Sequence, residues 1–272
     1  TVFAALSNLV RNEGAAALIA THNLELAKYM DRVMALDHAA PAAEDLTQPR
    51  LPLRSAWIEI NTRRLRRNLA IVNAFKPPQV QILAVVKDDG YGHGALTVAR
   101  AALEAGAAYL GVSTLEEALG LRARGIEAPI LLLGQRQVAE LPWCVRHQLT
   151  CAVQDAMTIQ ALAEAAARAH RRVPVHLKLN TGMNRYGVRW TEALPLAELV
   201  LAQKSLLLEG VFSHFAMSDE ADKSFALLQL ERFQIVLAQL EARGIQVKYR
   251  HLCNSGGLLD LPQAHFNMVR IG

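Results

Sequence analysis

One lysine stands at the end of an apolar run and at the start of a polar, glycine-rich loop. The segment AVVKDDGYGHG covers residues 84–94, and Lys87 directly follows its three apolar residues. Tyr91 and His93 lie within the same loop. An unprotonated lysine amine is a nucleophile that condenses with carbonyl compounds. The segment therefore predicts a reactive lysine at the end of a buried strand. The alternative is an ordinary lysine whose amine reaches solvent.

Other side chains capable of chemistry share this placement, because each ends or closely follows a short apolar segment. They are Lys178, Asn180, Arg185, His214, Asn254, Ser255 and Arg270, with Gly272 after the last of them. Parallel α/β barrels carry their chemistry at the C-terminal ends of the strands, and their last loops bind phosphate through backbone N–H groups. We therefore expect one site on one rim, with Ser255, Gly256 and Gly272 in its phosphate-binding part.

The elements that must position these residues alternate between strand and helix. Ala-, Leu- and Glu-rich stretches separate eight short apolar segments. We predict strands at 81–87, 109–114, 129–134, 150–153, 175–181, 208–215, 249–255 and 266–272. Such alternation indicates parallel strands joined by crossover helices, and eight of them favour a closed α/β barrel of the (β/α)8 TIM type. An open doubly wound sheet is disfavoured, because no G-x-G-x-x-G follows the first strand.

Composition limits the class of protein. The chain has 272 residues, 52% of them hydrophobic and 20% charged, so it can bury a large core. The net charge of +4 is mild, and the basic cluster at 63–67 is typical of a solvated helix face, so we expect no nucleic-acid partner. No apolar run reaches ~18 residues, which predicts no membrane span. Three scattered cysteines without C-x-x-C favour a cytoplasmic location, and we predict no metal site.

A break in composition separates two regions of the chain. The stretch AAPAAEDLTQPRLPLRS (39–55) holds three prolines and no helical period, which is typical of a linker. We therefore predict three parts: a short α/β appendage at 1–38, a linker at 39–56 and the barrel at 57–272.

The segments of the barrel region resemble one known family. AVVKDDGYGHG (84–94), HLKLNTGMNRYGVR (176–189), GVFSHFAMSDE (210–220) and NSGGLLDLPQAHFNMVRIG (254–272) are similar, in order and spacing, to the N-terminal barrel of alanine racemases. The resemblance covers residues 57–272. It implies a fold-type III enzyme dependent on pyridoxal 5'-phosphate (PLP), in which a β-rich domain follows the barrel.

The resemblance implies roles for the residues near the lysine. Lys87 would hold PLP as a Schiff base and then act as the base on one face of the substrate. Tyr91, Ser255 and Gly272 would bind the cofactor phosphate, and Asn254 would belong to the same cofactor-binding group.

It also implies roles at the ring end of the cofactor. Arg270 would face the pyridine nitrogen; because an arginine keeps its proton, the ring stays a weak electron sink, which favours racemisation. His214 would hold Arg270. Arg185 would bind the phenolic oxygen of PLP near the substrate carboxylate, and Lys178 would carry a carbamate that orients Arg185.

Two features depart from the family pattern. The family has small residues around a single Asp or Asn after the lysine, whereas Asp88, Asp89 and Gly90 follow Lys87 here. A carboxylate beside Lys87 favours the protonated amine unless Asp88 points away. The family's second base is a tyrosine from the partner subunit's C-terminal domain. Because this tyrosine comes from a partner subunit, we expect a homodimer for full-length members. The C-terminal domain is absent from this sequence, so we expect weak or no activity for this chain.

The first forty residues resemble a different family. ALIATHNLELAKYMDRVMALD (17–37) is similar to the C-terminal piece of an ABC-transporter ATPase of the lipoprotein-releasing type, with His22 as the switch histidine. The phosphate-binding loop G-x-x-x-x-G-K-[ST] does not occur in the sequence, so we predict no ATP site. We expect a functionally silent fragment.

The resemblance to the racemases thus implies an isomerase that interconverts L-alanine and D-alanine for peptidoglycan precursors. Serine and broad-specificity racemases share this barrel, which leaves the substrate open. Two alternatives remain: a PLP-binding barrel without racemase activity, and a non-functional fusion of ATPase and racemase pieces.

Overall fold

Eight parallel strands curve into a nearly closed barrel. The computed structural model describes residues 58–272, so the predictions for 1–38 and 39–56 lie outside the described residues. The barrel strands are β1 (Gln81–Val85), β2 (Tyr109–Val112), β3 (Ile130–Leu132), β4 (Thr150–Val153), β5 (Val173–Asn180), β7 (Leu206–Phe212), β8 (Tyr249–His251) and β9 (Met268–Ile271). The eight predicted strands are therefore confirmed in place, most of them shorter than expected. A two-residue strand, β6 (Val188–Arg189), pairs with the end of β5 and was not predicted.

Strand pairing confirms the predicted (β/α)8 barrel. The order is β8-β7-β5-β4-β3-β2-β1-β9, and every pair is parallel. Between β9 and the residues after β8, the N–H of Arg270 donates to the carbonyl of Cys253 at 3.0 Å. This bond brings the two ends of the sheet together. The candidate residues at the strand ends thereby share one rim.

Helices cover the outside of the barrel. They are α1 (Thr62–Phe75), α2 (Ala95–Glu104), α3 (Leu115–Ala123), α4 (Leu141–Arg146), α5 (Ala156–Arg168), α6 (Ala193–Ala202), α7 (Ser224–Ala242) and α8 (Ser255–Asp260). Several begin at side-chain caps: Asn61 caps α1, Asp155 caps α5, and Thr114 with Glu117 forms a capping box on α3. None of the helices within 58–272 is long and apolar enough to cross a membrane.

The interior of the barrel is unusually polar. Barrels of this type are usually filled with branched aliphatic side chains. Here His176 and His251 are fully buried, at 0% exposure each. Tyr109 and Tyr249 belong to an interior cluster that also contains Leu83. Burying polar groups costs free energy unless they are hydrogen-bonded. The polar side chains inside the barrel must therefore be hydrogen-bonded to one another or to the backbone.

Candidate active site

The chain leaves β1 through a left-handed turn that carries Lys87. Asp88, Asp89 and Tyr91 have φ values of +52°, +52° and +53°, and Gly90 lies between them at +62°. Aspartate tolerates this region better than most residues. A Cβ at position 90 would also lie 2.9 Å from a Val98 methyl, so glycine fits there.

Two carboxylates hold this turn in place. Glu117 accepts a hydrogen bond from the Asp88 N–H at 2.6 Å through Oε1. The Asp89 carboxylate accepts from the N–H of Ala95, the first residue of α2, at 2.7 Å. Asp89 is therefore bound to the backbone and not to the lysine. The turn is fixed from both sides, which sets the starting point of the Lys87 side chain.

Lys87 lies at the mouth of the barrel, with about a third of its side chain exposed. Its Nζ is 3.3 Å from Oδ2 of Asp88 and 5.6 Å from the centre of the Tyr91 ring. The Asp88 carboxylate therefore points toward the lysine and not away from it. The lysine thus meets a carboxylate and an aromatic ring at the rim.

Tyr91, Ser255 and Gly272 come together from three separate segments. The hydroxyl of Ser255 is 3.3 Å from the Gly272 carbonyl oxygen and 3.4 Å from its nitrogen. A Cβ at Gly272 would lie 2.8 Å from Cβ of Val85 and 3.1 Å from the Tyr91 ring, so only a glycine lets these groups approach. Hydroxyl and backbone N–H groups that converge in this way suit an oxyanion.

Asn254 supports this cluster. Its side-chain oxygen accepts from the N–H of Gly257 at 3.0 Å, which caps α8, and from the hydroxyl of Ser218 at 2.7 Å. This pairing fixes the turn that presents Ser255. The predicted contact of Asn254 with a cofactor stays a prediction.

Arg270 lies fully inside the barrel and is held by acceptors on several sides. Nη1 donates to Nδ1 and the carbonyl oxygen of His251, at 2.9 and 3.0 Å. Nη2 donates to the carbonyls of Ser213 and Leu252, at 2.6 and 2.9 Å, and lies 3.1 Å from Nδ1 of His214. Within the described part of the chain, the Nε–H group has no acceptor. This arrangement orients the guanidinium firmly and leaves one N–H for a ligand.

His214 is neutral because it is buried, close to several cations. Burial lowers its pKa to about 3, with further contributions from the charges of Arg270, Arg185, Lys178 and Lys87. An arginine can only donate, so Nδ1 of His214 accepts from Arg270 and the ring proton lies on Nε2. The predicted contact between these two side chains is present.

Lys178 has a buried amine whose pKa is lowered. Burial lowers its pKa to about 7, and the charges of Arg270 and Arg185 act in the same direction. Its Nζ donates to the Leu133 carbonyl at 3.0 Å and lies 5.2 Å from the centre of the Phe212 ring. About half of such amines are unprotonated at neutral pH, which is the form that reacts with carbon dioxide.

Arg185 lies on the loop after β5 and is exposed. Asn180 shapes this loop, because its side-chain oxygen accepts from the N–H groups of Gly182 and Asn184 at 3.0 and 3.1 Å. The structure shows no hydrogen bond between Arg185 and Lys178 in the described residues. Two cations do not attract each other, so a bond between them requires an anion such as a carbamate.

Three residues that bear on the site were not singled out from the sequence: the buried His251 and His176, and the partly buried Glu209. A signal was present for one of them, since His176 and Lys178 are two residues apart on β5 and therefore point to the same face. His251 and Glu209 carry no local signal. Their importance comes from contacts across the barrel.

Fold and site together define a (β/α)8-barrel protein whose strand ends carry a lysine, a buried arginine and a cluster of oxyanion-binding groups. A sequence model of the alanine racemase N-terminal domain matches residues 60–272. The chain belongs to the alanine racemase family. Members of this family are PLP-dependent isomerases.

Curated relatives and solved structures agree with this assignment. Alanine racemase from Carboxydothermus hydrogenoformans is 41% identical over 220 residues, which cover 81% of this chain and 59% of the relative. Alanine racemase from Desulfosudis oleivorans is 43% identical over 230 residues, covering 80% of this chain and 58% of the relative. The chain thus spans less than two thirds of the length of the relatives it matches. The Bacillus anthracis enzyme with bound L-Ala-P superposes with a TM-score of 0.76 at 33% identity, covering 83% of this chain and 58% of that one.

The residues at the rim fit PLP. The cofactor carries an aldehyde, a phosphate and a pyridine nitrogen, and the rim offers an amine (Lys87), a hydroxyl and N–H pair (Ser255 and Gly272) and a free guanidinium N–H (Arg270). The glycine at position 272 adds to this fit, because without a Cβ its backbone can lie against Val85 and the Tyr91 ring.

Proposed function

We propose that this barrel binds PLP at Lys87 and carries the cofactor half of an alanine racemase. The observation that supports this most directly is the placement of Lys87 on the same rim as the Tyr91, Ser255 and Gly272 cluster. The family membership of residues 60–272 supports the same conclusion. Substrate, activity and partners of the whole protein belong to this proposal.

The cofactor-binding residues divide by the part of PLP that each would hold. Tyr91, Ser255 and Gly272 would bind the phosphate, and Asn254 would fix the turn that carries Ser255. Arg270 would donate its Nε–H to the pyridine nitrogen. When bound, PLP supplies an electron sink for the α-carbon of an amino acid.

The protein residues would orient the substrate and move its α-proton. Lys87 would hold the cofactor and afterwards exchange a proton at the α-carbon on one face. Arg270 cannot take over a proton, because its guanidinium stays charged and His214 and His251 hold it. Arg185, on the loop after β5, would bind the phenolic oxygen of PLP near the substrate carboxylate.

Lys178 would be carbamylated. The buried amine with a pKa of about 7 supports this, because an unprotonated amine adds carbon dioxide at neutral pH. The product would be an anion beside Arg185 and Arg270, where positive charge favours it. Arg185 would then gain the partner that it lacks beside an unmodified lysine.

The remaining assignments rest on the resemblances and composition of the sequence. We propose that residues 57–272 form the barrel domain, that 1–38 and 39–56 are a silent ABC-ATPase-like segment and a linker, and that full-length members act as homodimers in the cytoplasm. Alanine is the proposed substrate, for peptidoglycan precursors.

Borohydride trapping tests the proposal. PLP would be added to the chain, reduced with borohydride and located by peptide mass mapping. The label should fall on Lys87 and disappear in Lys87→Ala. Lys248→Ala removes an exposed lysine near the opposite end of β8 and serves as the matched control that should keep the label. A Lys87→Ala chain that still forms a reducible linkage would contradict the assignment. Formation of D-alanine from L-alanine then separates a racemase from a barrel that only binds PLP.

A further inference from the structure

A chain of polar side chains runs through the barrel interior from Arg270 to Glu209. Nη1 of Arg270 is 2.9 Å from Nδ1 of His251. Nε2 of His251 is 2.8 Å from Nδ1 of His176. Nε2 of His176 is 3.5 Å from Oε2 of Glu209. We refer to these four residues as the interior chain.

The donors and acceptors fix every proton in the interior chain. Arginine has no acceptor, so Nδ1 of His251 accepts and its proton lies on Nε2. That proton points to Nδ1 of His176, so His176 carries its own proton on Nε2. This N–H faces the Glu209 carboxylate, at a distance too long for a good hydrogen bond.

The same logic keeps both histidines neutral. A second proton on His176 would occupy Nδ1, which would require His251 to accept at Nε2 and to present an N–H to Arg270. Two donors would then oppose each other. Burial lowers the pKa of both histidines and the charge of Arg270 lowers it further; for His176 this outweighs the opposite effect of Glu209.

Glu209 is a carboxylate held by several donors. The hydroxyl of Tyr109 donates to Oε2 at 2.6 Å, and Tyr109 in turn is 2.8 Å from the Thr150 hydroxyl. Nζ of Lys248 is 3.7 Å from Oε1 at the surface. Burial opposes ionisation of Glu209, but the nearby N–H of His176 and the hydrogen bond from Tyr109 outweigh it, and the pKa lies below its usual value.

We infer that Glu209 is a positioning residue for Arg270, acting as its counter-charge through the fixed proton positions of His176 and His251. Arg270 is a buried cation whose contacts among the described residues are carbonyls, imidazoles and the Phe212 ring, none of them charged. A buried charge is costly without compensation. Glu209 provides it through two polarised imidazoles, which align their N–H groups away from Arg270 and toward the carboxylate.

The proton positions do not depend on cofactor binding, whereas the consequence for PLP affinity rests on the proposed function. Nitrogen NMR of the histidine rings and of the arginine Nε–H groups, measured without PLP, therefore tests the proton positions independently of PLP binding. In the unmodified protein, His176 and His251 should both carry their proton on Nε2. A proton on Nδ1 of either ring would overturn the inference at once.

Two variants and a control test the role of Glu209. Glu209→Gln removes the charge at constant volume, and Glu209→Leu removes the acceptor as well. Both should shift the Arg270 Nε–H resonance and weaken PLP binding by about 2- to 10-fold. Tyr109→Phe removes a donor to Glu209 but keeps the carboxylate, so the Arg270 resonance should stay as in the unmodified protein.

The outcomes are distinct. If Glu209→Leu fails to fold, the Arg270 Nε–H resonance in Glu209→Gln still tests the positioning role. An Arg270 resonance unchanged in Glu209→Gln would overturn the positioning role. If the unmodified protein does not bind PLP but the Arg270 resonance still shifts in Glu209→Gln, the proposed function fails while the positioning role holds.

Discussion

Oδ2 of Asp88 lies 3.3 Å from Nζ of Lys87, and the two residues are adjacent in the chain. Glu117 holds the Asp88 N–H at 2.6 Å, so the backbone that carries this carboxylate is fixed. The resemblance to alanine racemases implies a small residue at this place. An ion pair holds the amine against Asp88, and the amine must leave that carboxylate to reach a carbonyl carbon. Asp88 therefore competes with the proposed role of Lys87.

Removal of the Asp88 charge should speed the attachment of PLP. Asp88→Ala should raise the rate at pH 7 by about 2- to 5-fold, because exposed ion pairs contribute ~0.2–1 kcal/mol. Borohydride quenching at successive times measures the rate. Asp88→Asn, which tolerates the left-handed backbone equally well, should give the same increase. A rate in Asp88→Asn equal to that of the unmodified protein would show that the ion pair does not restrain the lysine.

The strands could be predicted from the sequence because each is an apolar segment between helices with polar faces. The same pattern places Lys87, Lys178 and Arg270 at strand ends, where the structure has them. The left-handed turn at Lys87–Tyr91 could not be predicted, since Asp88, Asp89 and Tyr91 are not residues that require positive φ. Glu117, from the next βα unit, helps to hold that turn.

The interior chain could not be predicted for a similar reason. Glu209 lies on a strand whose neighbours are apolar, and an isolated glutamate there indicates an exposed position. Only the closed barrel brings it beside His176 and Tyr109. Contacts across the barrel depend on the stagger of the strands, and β5 also contains a bulge between Val175 and His176.

Carbamylation of Lys178 should depend on pH near neutrality. Its pKa of about 7 means that the amine is mostly free above pH 7 and mostly protonated below it. With 13C-labelled bicarbonate, a carbamate signal should therefore be present at pH 8 and fall as the pH is lowered through about 7. Lys178→Met supplies the background spectrum. An unchanged carbamate signal at pH 5.5 would contradict the assignment of the amine.

The same pKa has a consequence for stability. An unfolded lysine keeps its proton up to about pH 10.4, whereas the folded amine loses it near 7. The unfolded state thus binds more protons between these values, so the Lys178 contribution should make the protein more stable as the pH rises through that range. In carbonate-free buffer at pH 7, Lys178→Met should increase the free energy of unfolding by about 1–2 kcal/mol. Urea unfolding measures this, and a decrease would mean that the Leu133 hydrogen bond outweighs the burial cost.

Arg270 should contribute strongly to folding as well as to the site. Arg270→Met would leave the carbonyls of Ser213 and Leu252 without their donor, and unsatisfied buried acceptors cost about 1–3 kcal/mol each. We expect a loss of about 3 kcal/mol or more in urea unfolding. Arg250→Met changes an exposed arginine on β8 and should cost little. Equal losses in the two variants would argue against the buried hydrogen bonds as the cause.

Ser255 should discriminate between PLP and pyridoxal, which lacks the phosphate. The Gly272 N–H donates to the Ser255 hydroxyl oxygen, with 3.4 Å between nitrogen and oxygen, and the Tyr91 ring lies beside Gly272. Ser255→Ala removes one donor to a phosphate, and a hydrogen bond to a charged group is worth about 1.5–3 kcal/mol. PLP affinity should therefore fall by about 10-fold or more, while pyridoxal affinity stays the same, because its contacts with Lys87 and Arg270 are untouched. Titration of both ligands against both proteins gives the comparison. Equal losses for the two ligands would place the effect of Ser255 on the fold of the rim and not on the phosphate.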